Sequence, residues 1–161
     1  MNVRKFKPGD EPQLWDLFYN TIRFVNARDY TERQVKAWAP DFFDQKIWEK
    51  KMRTINPFIV VKDDILLGYA DLQKDGYIDH FYCHYLWQRK GVGSLLLKVI
   101  ENNAMESGIT RLYANVSITA KPFFLYKGFE ALKKQKAIIR GEELENYKMQ
   151  KMLFCKYRMN L

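Results

Sequence analysis

Apolar positions along the chain change their spacing several times, and each change marks an element. Val3 to Lys7 alternates as a short strand and stops at the turn Pro8-Gly9-Asp10. Pro12 suits a first helical turn, and Leu14, Leu17, Phe18, Thr21, Ile22 and Val25 then recur at helical spacing. Thr31 with Gln34 forms a capping box for a second short helix, which ends before Pro40. Asp44 caps a third helical piece that reaches Arg53. The period then shortens. Phe58 to Val61, the turn Lys62-Asp63-Asp64 and Ile65 to Leu72 spell a hairpin. Lys74-Asp75-Gly76 turns the chain into a further strand, Tyr77 to His84.

Gly91 to Glu106 returns to helical spacing through Val92, Leu95, Leu96, Val99 and Ile100, and Gly108 terminates it. Arg111 to Ser117 alternates Leu112, Ala114 and Val116 against Tyr113, Asn115 and Ser117, a strand pattern. Thr119 caps a short helix through Lys127, with Pro122 in its first turn and Gly128 at its end. Two last strands, Phe129 to Ile139 and Leu144 to Leu153, flank the turn Arg140-Gly141-Glu142-Glu143. This order predicts an α+β (mixed α/β) fold, a mixed sheet covered by helices. No repeat or linker divides it, so residues 1–161 read as a single domain.

Composition narrows the class. At 47% hydrophobic and 29% charged residues the chain is an ordinary globular one, which excludes disorder and low complexity. Cys83 and Cys155 cannot make a disulfide framework, and reduced thiols in the cytosol are the simpler reading. Met1 to Asn20 has no apolar signal-peptide core, and the longest apolar stretch, Ile65 to Ala70, is too short to span a bilayer. A cytoplasmic protein with no membrane partner is expected.

Charge adds less. Residues 119–161 hold ten basic and four acidic groups of the chain's net +8, yet the basic ones are spread out. Spread lysines read as guarded strand edges, so nucleic acid is not expected as a partner.

The informative stretch runs from Tyr77 to Leu97: a strand, a loop, then Gln88-Arg89-Lys90-Gly91-Val92-Gly93-Ser94 opening a long helix. Glycines at such a junction let the backbone approach a ligand, and the helix's first amides point at an anion. A nucleotide-triphosphate loop needs Gly-Lys followed by Ser or Thr, which is absent. A dinucleotide fingerprint needs a third glycine where Leu96 stands. The pattern Q/R-x-x-G-x-G/A is satisfied in full by Gln88 to Gly93.

That segment resembles the pyrophosphate loop of the GNAT superfamily of N-acetyltransferases, and Gly128-Phe129 after the next strand and short helix extends the likeness. The resemblance implies a central, twisted, mostly antiparallel sheet of about seven strands. It also implies a V-shaped splay between the fourth, Tyr77–His84, and the fifth, Arg111–Ser117. Acetyl-coenzyme A is the implied co-substrate. Phe81, Tyr82 and Cys83 would hold its pantetheine arm, with Phe81 and Cys83 offering backbone groups. Gln88, Arg89, Lys90, Gly91, Val92, Gly93 and Ser94 would hold the diphosphate. Ser117 stands where the family often has Asn, and Phe124 where it commonly has the Tyr that protonates the leaving thiolate. Tyr126 is the nearby substitute acid, although two residues along a helix turn it to another face.

The implied reaction is acetyl transfer to a primary amine by direct attack in a ternary complex. The alternative is a non-catalytic coenzyme A-binding or nucleic-acid-associated module. An ammonium must lose a proton before it attacks, and Asp79 is the first candidate base. Strict alternation places it on the face of Tyr77, Phe81 and Cys83, with an ion pair as its competing role. Asn115 and Tyr113 are weaker candidates on the neighbouring strand. His80, Cys83 and His84 alternate sides along one strand, with Cys155 the one further donor, so no metal site is expected. Arg23 to Tyr30, with Trp38 and Trp48, either lines the acceptor pocket or packs as a loop. The acceptor is a small-molecule or peptide amine, and the protein a monomer or homodimer.

Overall fold

The computed structural model describes residues 1–154, so Cys155, Lys156 and Arg158 lie outside the described residues. Eight strands are described: β1 (Asn2–Lys5), β2 (Phe58–Lys62), β3 (Ile65–Ala70), β4 (Tyr77–Ile78), β5 (Phe81–Cys83), β6 (Arg111–Ser117), β7 (Glu130–Ile139) and β8 (Glu142–Met152). The helices are α1 (Glu11–Phe24), α2 (Glu32–Trp38), α3 (Gln45–Ile55), α4 (Val92–Glu106) and α5 (Lys121–Tyr126). The strands form two four-stranded sheets, ordered β1-β2-β3-β5 and β4-β6-β8-β7. Every pairing is antiparallel except β4 with β6.

Several local devices are those the pattern predicts. The Thr31–Gln34 capping box forms, and Asp44 accepts from the amides of Lys46 and Ile47. Asp10, in the turn before α1, takes Arg4 at 2.7 and 2.9 Å and the Lys7 amide at 2.9 Å and does not cap the helix. Others differ for physical reasons. Thr119 does not cap α5; the Ala120 amide donates to the Ser117 hydroxyl at 3.0 Å. The final hairpin turns on Arg140 and Gly141 alone, both at positive φ, which lengthens β8 back to Glu142.

Helices cover both faces. On one, Leu96 and Ile100 of α4 and Phe124 of α5 pack on Leu67, Leu112 and Ala114. On the other, Leu14, Ile22, Trp48 and Met52 of α1 and α3 pack on Ile59 and Tyr69.

The largest departure lies in Tyr77–His84, expected as one strand and found as two. Its first half pairs Ile78 with Ala114, and its second half pairs Tyr82 with Tyr69 in the other sheet. The break is held by Asp71, which is wholly buried. One oxygen, Oδ1, accepts from the amides of Asp79 at 2.9 Å and His80 at 2.7 Å, while Oδ2 takes the Gln73 side chain at 3.3 Å. Two adjacent amides directed at one carboxylate leave the ladder together, so the alternation slips by one residue. Ile78 therefore packs under α4, and His80, two residues on, faces Phe18 and Trp48 on the opposite side.

This geometry carries a stability prediction. Asp71→Ala strands two buried amides, a loss of about 3 kcal/mol. Its thermal midpoint should fall by about 6–12 °C. Burial is the strongest influence on Asp71 and raises its pKa. A folded-state value above the unfolded one favours the fold in acid, and that contribution is lost as pH rises through the raised value. Asp71→Asn keeps Oδ1 for both amides and has no charge to bury. Its midpoint at neutral pH should equal or exceed that of the parent, with Asp71's share of the pH dependence gone. A drop as large as that of Asp71→Ala would refute the brace.

Candidate active site

Beyond Ile78 the two sheets separate. β5 is the end strand of its sheet, while β6 continues alongside β8. The His84 amide donates to Leu67 O at 2.8 Å, and the Asp71 amide to His80 O at 3.2 Å. Alternate residues of an antiparallel strand direct both backbone groups to the same side, so His80, Tyr82 and His84 serve β3. Phe81 and Cys83 then direct theirs into the slot. The Cys83 carbonyl is already taken by the Thr21 hydroxyl and by the Gln88 side chain, each at 2.8 Å. Both groups of Phe81 and the amide of Cys83 are left for a ligand. Tyr82, grouped with them from sequence, gives its backbone to β3 and its ring to Phe18 and Tyr69.

A cavity of about 750 Å³ fills the slot, within the usual range of small-molecule sites. Phe81, Cys83, Gly93, Ser94 and Ser117 line it, and Thr119 was not foreseen there. The Thr119 hydroxyl is buried with no hydrogen-bond partner among the described residues, an orphan that a ligand's polar group would satisfy. Burial pushes the Cys83 thiol up to about 12, so it stays protonated and is no nucleophile.

The loop at the cavity's end has the form an anion needs. The first intrahelical bond of α4 runs from the Leu95 amide to Gly91 O at 3.0 Å. The amides of Val92, Gly93 and Ser94 precede it and lack an intrahelical partner. Gly91 enters the helix at φ +85°, with open space where a Cβ would stand. At Gly93 a Cβ would lie 3.2 Å from the Phe123 ring and 3.5 Å from Cys83 Sγ. Glycine is thus favoured at Gly91 by its positive φ and at Gly93 by close approach. The Gln88 side chain turns back onto the Cys83 and His84 carbonyls, tying the loop to β5. Arg89 lines the cavity, and the Lys90 ammonium lies 5.0 Å over Trp87.

The α5 residues divide. Phe124 is 2% exposed and packs edge-on against Phe81 and Phe129, a wall with no polar atom. Tyr126 lines the mouth and is 85% exposed, with Lys127 over its ring.

A second recess, of about 320 Å³, shares Trp38, Asp79, Tyr82, Asn115 and Ser117 with the cavity, so the two spaces meet there. Asp79 is paired with Lys51 of α3. Because of the slip at Asp71, it lies across the sheet from Phe81 and Cys83 and not beside them as strict alternation predicts. His80 bonds Tyr69 through Nδ1 at 3.0 Å, and crowding by rings pushes its pKa down to about 4. Its imidazole is neutral at pH 7.

On β6, the Tyr113 hydroxyl donates to Asp75, away from the recess. Asn115 donates to the Tyr77 hydroxyl at 3.4 Å and accepts from Gln135 at 2.8 Å. Of the stretch Arg23–Tyr30, Asn26 and Arg28 line the cavity and Tyr30 the recess. Trp48 is buried, donating to Glu11 O at 2.9 Å, and packs only.

Comparison with known proteins agrees with this architecture. Residues 26–152 match the family described as an acetyltransferase (GNAT) domain. The chain is 30% identical over 149 residues to the uncharacterized N-acetyltransferase YafP of Escherichia coli K12, across 92% of this chain and 94% of that protein. A GCN5-related N-acetyltransferase from Rhodopseudomonas palustris superposes with a TM-score of 0.90 at 28% identity, covering 94% of this chain and 95% of that one. PaiA N-acetyltransferase of Thermoplasma acidophilum, solved with coenzyme A, gives 0.70 at 16% identity over 94% and 98% of the two chains. The open β5 edge, the free amides of α4 and the family match agree, and the chain belongs to the GNAT acetyltransferases, enzymes that take their acetyl group from acetyl-coenzyme A.

Proposed function

We propose that this enzyme acetylates a primary amine by direct attack in a ternary complex. The observation that carries the reading is the junction of cavity and recess at Asp79 and Ser117, which lets both reactants be held at once. Acetyl-coenzyme A, when bound, supplies the thioester carbonyl. The free backbone groups of Phe81 and Cys83 bind the pantetheine arm as an added strand, with Thr119 as a further polar contact. The amides of Val92, Gly93 and Ser94 hold the diphosphate, Arg89 and Lys90 adding positive charge. Gln88 and Gly91 keep that loop in shape, while Phe124 and Ser117 form wall and corner.

Asp79 takes the proton of the incoming ammonium. A carbon–nitrogen bond then forms as the carbon–sulfur bond breaks, and the nitrogen, still carrying one proton too many for an amide, releases it to solvent. The departing thiolate, tolerable near its own pKa, collects its proton from solvent or from Tyr126 at the mouth.

Heating scans with acetyl-coenzyme A test the binding half. At about a hundredfold over its Kd the ligand adds about 2.7 kcal/mol, a rise of several degrees in the midpoint. No rise at millimolar ligand would overturn the proposal. Thiol release with an amine tests the transfer half. With its hydroxyl so exposed, Tyr126→Phe should keep kcat within about tenfold of the parent, below the usual share of a buried general acid. A larger loss at unchanged KM would make Tyr126 the principal acid.

A further inference from the structure

We infer that the Tyr82 hydroxyl donates a hydrogen bond to the carbonyl oxygen of the acetyl thioester and stabilises the negative charge that attack places there. This rests on the acetyl-transfer reading and adds a catalytic residue to it. Tyr82 projects from β5 on the face of His80 and lines both the cavity and the recess. Its ring is stacked on Tyr69 with centroids 5.7 Å apart, and lies edge-on to Phe18 at 5.0 Å and to His80 at 5.5 Å. With the ring so enclosed, the hydroxyl is the end that reaches the junction, and it is held in a fixed place. A fixed donor needs no reorganisation as charge develops, which is what makes it effective in catalysis.

The hydrogen of that hydroxyl is uncommitted. The Trp38 indole acts on its oxygen, and an indole N–H can only donate, so the phenol hydrogen has no acceptor among the described residues. Burial holds the phenol pKa well above its ordinary value, which keeps Tyr82 a neutral donor at pH 7. Other groups that border both spaces are occupied: Asp79 pairs with Lys51, and Asn115 donates to Tyr77 and accepts from Gln135. Backbone donors are spent as well. The amides of Asp79 and His80 go to Asp71, and the open groups of Phe81 and Cys83 are assigned to the pantetheine arm. Ser117 is the competitor, since its oxygen accepts from the Ala120 amide while its own hydrogen remains. In the step itself the amine lone pair attacks the carbonyl carbon, and the π pair of the carbonyl moves onto oxygen against the Tyr82 O–H. That pair returns as the carbon–sulfur bond breaks, so Tyr82 keeps its proton throughout.

Tyr82→Phe removes the hydroxyl and keeps the ring, and circular dichroism with the unliganded midpoint checks its fold. Thiol release should show kcat and kcat/KM falling together by about a hundredfold, because the contact strengthens only as charge builds. Infrared difference spectra of acetyl-coenzyme A, isotope-labelled at its carbonyl and bound without amine, supply a signature that a packing role would not move. Loss of the donor should raise the carbonyl stretching frequency, and a fluorinated, more acidic tyrosine at position 82 should lower it. The fluorinated variant decides alone if Tyr82→Phe does not fold. A kcat within about threefold of the parent, or an unmoved carbonyl band, would overturn the inference. A band raised by Ser117→Ala and not by Tyr82→Phe would also overturn it, with Ser117 as the donor. An intact acetyl-coenzyme A midpoint shift beside any of these failures keeps the acetyl-transfer reading standing, whereas a parent that shows no shift removes both.

Discussion

Gly93→Glu is expected to abolish the rise in thermal midpoint that acetyl-coenzyme A gives the parent, with binding weakened by more than about a hundredfold, or 2.7 kcal/mol. Two effects act together. The position is tight, since a Cβ would stand 3.2 Å from the Phe123 ring, and it lines the cavity, so a longer side chain extends into the space the ligand needs. A carboxylate on the first turn of α4 also occupies the free amides as an internal anion and repels a diphosphate. Gly91→Asn separates these causes. Gly91 has open space and needs only positive φ, which Asn tolerates better than most residues, so binding should survive. Circular dichroism and the unliganded midpoint establish that each variant is folded. Full affinity in folded Gly93→Glu would mean that the diphosphate lies elsewhere.

What could be read in advance was the part of the molecule written in local chemistry. Ser117 ends β6 at the expected residue, because Leu112, Ala114 and Val116 face a core and their neighbours do not. The loop from Gln88 to Ser94 was legible because helix-end amides and glycine conformations depend on a few adjacent residues. The break at Asp79 was not, because its cause lies eight residues earlier in Asp71, within a stretch that reads as one apolar strand. A lone carboxylate following Ile65–Ala70 was the signal available, since a buried Asp needs donors. Thr119 and Ser117 exchanged expected roles for a similar reason. Either hydroxyl suits a cap by type, and only the exit of β6 decides which one faces the Ala120 amide. Of the recess only Tyr30 and Trp38 stood among the acceptor-pocket candidates read from sequence: it joins α1, α2, β4 and β8, which meet only through the tertiary fold.

Asp79→Asn is expected to lower kcat by about a hundredfold or more while leaving the KM for acetyl-coenzyme A near that of the parent. The variant is isosteric, and the cofactor contacts assigned to Phe81, Cys83 and the α4 amides do not involve its carboxylate. The competing role is the ion pair with Lys51, whose side chains are 40% and 24% exposed. A pair that open contributes at most about 1 kcal/mol, or about 2–4 °C in the midpoint. A structural role therefore moves the midpoint and spares the rate. The pH profile distinguishes the two more sharply. Without a base, attack depends on the fraction of amine already neutral, so the rate of Asp79→Asn should climb about tenfold per pH unit toward the amine's own pKa. The parent should level off earlier. Lys51→Met supplies the converse, removing the ion pair while keeping the carboxylate, and should retain the parent's profile shape. If Asp79→Asn keeps both rate and profile, proton removal falls to another group, and neutral His80 in the wall of the recess is the next candidate.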